Sequence, residues 1–61
     1  MSAQRGSRIV KGDRVTVDLG EGNPYTGRGG RVVSFIPRSN LVHVMVAGAL
    51  IAVPLTGLVR E

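Results

Sequence analysis

No stretch of this chain keeps an apolar 3.6-residue period over ten positions. Short alternating apolar runs recur instead, cut apart by Gly, Pro and Asn. This punctuation constrains the fold most, because runs that short suit strands and cannot sustain helices in water. The chain has 61 residues, enough for one small domain. A domain of this size buries only about 60% of its unfolded surface, so its strands must share a single core. Hydrophobic residues make up 43% and charged residues 20%, which excludes a disordered polar tail. There is no cysteine and one histidine, so a disulfide, a thiolate metal site and a zinc site are all excluded. No apolar run approaches the roughly 18 residues of a membrane span. A cytoplasmic protein with no membrane partner and no cofactor is expected.

Residues 1–7 read as a flexible arm carrying Arg5, without the apolar core of a signal peptide. The single domain is expected over residues 8–61. Lys11-Gly12-Asp13 reads as a turn, in which the Asp13 carboxylate accepts a backbone N–H. The first strand is expected over residues 14–19, with Val15, Val17 and Leu19 on one face and Arg14, Thr16 and Asp18 on the other. Residues 20–30 form a long loop with five glycines, where Tyr25 is the only large side chain. The second strand is expected over residues 31–36, stopped by Pro37, with Phe35 in the core. Arg38-Ser39-Asn40 leads into a third strand over residues 41–46. Ala47-Gly48-Ala49 is a hairpin turn, and a fourth strand covers residues 50–53. Leu55-Thr56-Gly57 is expected to make one 3₁₀ turn before a short last strand, Leu58-Val59-Arg60. Five short strands in this arrangement predict an all-β, SH3-like barrel, with a long Gly-rich loop after strand 1 and a 3₁₀ turn before the last strand.

Lys11-Gly12-Asp13-Arg14-Val15-Thr16-Val17, followed by Gly27-Arg28-Gly29-Gly30-Arg31-Val32, resembles a KOW segment. Such segments occur in ribosomal proteins and in transcription elongation factors of the NusG type. The resemblance covers residues 11–36 and implies binding of RNA or protein, not chemistry. The loop is longer than the usual KOW loop, and its interior lacks the lysines typical there. Gly12-Asp13-Arg14-Val15 and the run from Pro54 to Arg60 are also similar to the type II dihydrofolate reductases, tetramers of a similarly small barrel. That family's pore needs Val-Gln-Ile-Tyr before the proline, where this chain has Leu50-Ile51-Ala52-Val53. Its glutamine and tyrosine would fall on Ile51 and Val53, and its pore lysine on Val17. The likeness therefore implies a shared fold without the activity.

Eight basic residues face four acidic ones, a net charge of +4, and seven of the eight are arginines. Arginine grips phosphate with two parallel N–H bonds, so nucleic acid is the default partner of a small basic domain. Arg28, Arg31 and Arg38 are expected on phosphate, with Arg5 and Arg8 fastening the complex and Tyr25 stacking. The amides of the glycine loop are expected to be accessible to a nucleic-acid backbone. That loop feeds a strand and not a helix N-terminus, so a nucleotide-hydrolase loop is excluded. No pair of carboxylates is placed to share a proton, and His43 lies on the face opposite Val42 and Val44. No enzyme and no small-molecule substrate are expected.

A rival expectation comes from strands three and four. Leu41, His43 and Met45 make an unusually apolar outer face, and both alternate sets of the fourth strand are apolar. Leu41, His43, Met45, Leu50 and Ile51 would then form a protein interface. The chain would serve as a homo-oligomer, an accessory subunit of a larger assembly, or a phage component.

Overall fold

Alternating β-branched residues drive this chain into strands, because valine packs well on a pleated, half-buried surface. A computed structural model describes residues 8–61; the expected arm over residues 1–7, with Arg5, lies outside the described residues. Five strands follow one another: β1 (Arg14–Val17), β2 (Gly29–Phe35), β3 (Leu41–Val46), β4 (Ala49–Pro54) and β5 (Leu58–Arg60). A 3₁₀ turn, Leu55–Gly57, sits between β4 and β5. All pairings are antiparallel, in the spatial order β4-β3-β2-β1-β5.

β1 is shorter than alternation suggests. After Val17 the chain turns away: the Asp18 amide still donates to the Gly57 carbonyl at 2.8 Å, in register with β5, but the Leu19 amide donates to Thr26 Oγ1 at 3.0 Å. β2 begins two residues early, because Gly29 and Gly30 pair with Thr16 and Val15. β4 gains a residue at each end, since Ala49 pairs with Val46 and Pro54 with Leu41. Pro54 closes this outer strand, a position that tolerates its missing N–H.

The core is nearly all valine. Val15 and Val17 of β1, Val44 of β3, Val53 of β4 and Leu58 of β5 are 0% exposed; Val32, Val42, Val46 and Ile9 complete the cluster. A flat sheet with no second layer would leave its neighbours wet on both faces, so such dryness requires the sheet to curl over its own inner face. The connection between the outermost strands agrees. In a flat sheet β4 and β5 would lie about 19 Å apart. The 3₁₀ turn bridges them, and the four steps from Pro54 to Leu58, at a rise near 2 Å each, span only about 8 Å. The hydrogen-bonded ladder still does not close, because no register joins β4 to β5.

Two expectations are corrected here. Phe35 is 43% exposed, not a core residue. Val33 is an extra residue in β2, so the register slips between Val32 and Ser34 and sets Phe35 opposite buried Val42. Phe35 is the last residue of its strand, and at the sheet's end it stays open to solvent. Ile51 does not line the outer face: it pairs with buried Val44 and packs against the core.

Candidate functional site

The outer face carries one row of side chains across the whole sheet. Arg14 of β1 pairs with Arg31 of β2, Arg31 with Met45 of β3, and Met45 with Leu50 of β4. Glu61 extends the row beyond β5, its amide donating to the Arg14 carbonyl at 3.1 Å. Directly opposite residues of an antiparallel ladder point to the same face, so the row reads carboxylate, guanidinium, guanidinium, thioether, isobutyl.

Arg14 and Arg31 occupy the closer kind of cross-strand position. The Val17 amide donates to the Arg28 carbonyl, and the Val32 amide to that of Asp13, both at 2.9 Å. Hydrogen-bonded pairs alternate with open ones along such a ladder, and Arg14 and Arg31 fall on an open pair, where Cα atoms are only about 4.5 Å apart. Both residues are exposed, and neither side chain has an ion-pair or hydrogen-bond partner among the described residues. Like charges at about 6 Å in water repel by about 0.7 kcal/mol. An anion held between them removes that repulsion.

The row lies over a shallow open cleft of about 350 Å³, lined by Arg14, Gly29, Gly30, Arg31, Met45 and Glu61. Glycine is required in its floor. A Cβ on Gly30 would lie 2.7 Å from the Met45 carbonyl oxygen and 2.8 Å from methyls of Val44 and Val46. One on Gly29 would lie 3.3 Å from Glu61 Oε2. That carboxylate is held in place by Thr16 Oγ1, which donates to it at 3.1 Å.

The residues singled out in the sequence do not gather at one place. Arg31 lies in the cleft. Arg28 sits three residues earlier in the ladder, so alternation turns it to the opposite face, where its Nε donates to the Pro24 carbonyl at 3.3 Å. Arg38 lies in the β2–β3 turn with φ at 62°, and Arg8 begins the described chain at φ 60°. Tyr25 packs against the core, its backbone N–H donating to Asn23 Oδ1 at 2.9 Å. The loop amides expected to be accessible are partly engaged: Gly27 N donates to the Val17 carbonyl at 2.8 Å and Arg28 N to that of Tyr25 at 3.0 Å.

Met45 and Leu50, at the apolar end of the row, are 42% and 51% exposed. Leu41 and His43 are half-buried on the same face, His43 Nδ1 lying 3.4 Å from Ser34 Oγ. Asp13 accepts from the Val10 amide at 2.9 Å, as its turn position implies, and also lies 3.6 Å from Arg60 Nε.

Sequence reasoning passed over Arg14 and Glu61, and took Gly29 and Gly30 only as part of the glycine loop. Alternation already placed Arg14 on the outer face, but only the ladder register sets it beside Arg31. No protein-family model matches the chain, and no curated protein or solved structure matches it either.

Proposed function

We infer that this chain is a small basic binding module, not an enzyme, that contacts RNA or DNA phosphates within a ribonucleoprotein or transcription-type complex. The scaffold is read as an SH3-like barrel of the KOW kind. That reading is supported by the β4-β3-β2-β1-β5 order, the 3₁₀ turn before β5 and the curled valine core. One observation carries the function: two arginines face each other across β1 and β2 with no partner of opposite charge among the described residues. Folding alone gives no reason to place like charges opposite each other. Two adjacent guanidiniums offer up to about ten N–H donors in planar forks suited to phosphate oxygens.

The test is a titration with mixed-sequence RNA and DNA at about 50 and 200 mM salt. Wild-type binding should fall steeply with salt. The Arg14→Gln/Arg31→Gln double variant should bind about tenfold more weakly and lower the salt slope by about one to two units. No wild-type binding at the lower salt, or an unchanged double variant, would overturn the reading.

A second reading rests on a different observation. From Leu41 to Pro54 the chain has no Asp, Glu, Lys or Arg, and β4 is an open edge of the ladder. An apolar strand without edge charges invites pairing. A structural or protein-interaction subunit is favoured if the chain ignores nucleic acid and sediments above monomer mass.

A further inference from the structure

We propose that the outer-face row is a slot for one nucleotide unit of a single strand, with the phosphate between Arg14 and Arg31 and the base on Met45 and Leu50. This slot presupposes the nucleic-acid reading above and narrows it to single strands. Strands in a ladder are about 4.8 Å apart, so Met45 lies one strand from Arg31 and Leu50 two. A ribose and its glycosidic bond cover that offset between a phosphate and the face of its base. The surface beyond the arginines is exposed and apolar, and the polarizable Met45 thioether suits contact with a flat ring.

The cleft floor makes room for the sugar. Gly29 puts no side chain on the outer face beside Arg31, and the cleft is at the small end of ligand-sized sites, about 300 to 1,000 Å³. Glu61 sets the direction. Its carboxylate, tethered to Thr16, stands on the far side of Arg14 and repels a phosphate there. The base is therefore directed to the Met45 side. A duplex keeps its base faces stacked inside and can offer this row only phosphate. A single strand fills both halves, combining backbone charge with a base face as single-strand binders do.

The experiment measures fluorescence anisotropy at about 100 mM salt with three probes of equal length: a mixed-sequence single strand, its duplex, and an abasic chain with the same phosphates. The single strand should bind about tenfold more tightly than either other probe. The Met45→Ser/Leu50→Ser variant should lower single-strand binding to the abasic level. Its affinity for the abasic chain and its salt slope should stay unchanged, and thermal melting should show that it folds. Arg14→Gln should weaken all three probes. If base-bearing and abasic strands bind equally, or the Met45/Leu50 variant keeps single-strand affinity, the slot is overturned and the phosphate reading stands. If that variant changes only the sedimenting mass, the apolar end is a self-association surface and the slot is likewise overturned. If the wild type binds none of the probes, both readings fall.

Discussion

The β1–β2 and β3–β4 hairpins are built on the same antiparallel ladder, yet they differ at both their turns and their outer faces. β1 and β2 are joined by residues 18–28, and β3 and β4 by Ala47 and Gly48 alone. The long connection is ordered by side chains. Thr26 Oγ1 accepts from the Leu19 amide at 3.0 Å and donates to the Gly20 carbonyl at 2.8 Å, and Asn23 folds the chain around Tyr25. The short connection is ordered by backbone geometry, with both turn residues at positive φ, 52° and 83°. Two such residues give the turn whose twist matches the strands it joins. Outside, β1 and β2 present two arginines over a glycine floor, while β3 and β4 present Met45 and Leu50. One hairpin thus offers charge and a hollow, and the other a continuous apolar surface. Neither outer row packs into the valine core behind it.

The hollow is the easiest part to break. Gly30→Ala places a methyl against backbone and two core valines, none of which is the loose end of a flexible side chain. A loss of about 3 kcal/mol is expected, read by urea unfolding. Small domains hold about 0.05 to 0.15 kcal/mol per residue, so this change should leave a substantial unfolded population. A loss below about 1 kcal/mol would mean that β2 and β3 can move apart freely and that the floor is not fixed by packing.

Thr26→Val tests whether the long connection depends on its side chains. It removes the acceptor of one partly buried bond and the donor of one exposed bond, so a loss of about 1 to 2 kcal/mol is expected. For a chain of this length each kcal/mol lowers Tm by about 4–8 °C, which a thermal melt resolves. An unchanged Tm would show the loop held by backbone bonds alone.

The smallest effect should come from the short turn, with the opposite sign. Ala47 holds a left-handed conformation that disfavours a Cβ, and asparagine tolerates it better. Ala47→Asn should raise stability by about 0.5–1 kcal/mol, seen as a higher Tm. A lower Tm would mean that Ala47 contributes a contact worth more than its strain.

Much of this was legible in the sequence, and the reasons are local. β3, the 3₁₀ turn and β5 fall where alternation and the Pro and Gly punctuation put them. Val15, Val17, Val42, Val44 and Val46 announce the core by spacing and branching alone. The outward direction of Arg14 and Met45 follows from the same period of two.

Register, curl and bulge were decided by the tertiary structure. Nothing local says that Arg14 stands opposite Arg31, because that depends on where an eleven-residue connection re-enters the ladder. Nothing local marks Val33 as the extra residue that sets Phe35 opposite Val42, or puts Ile51 rather than Leu50 inward. The physical reason is that alternation fixes only which residues share a face within one strand. Which faces meet, and which charges end up side by side, depends on long-range pairing that must close one small core with little surface to spare.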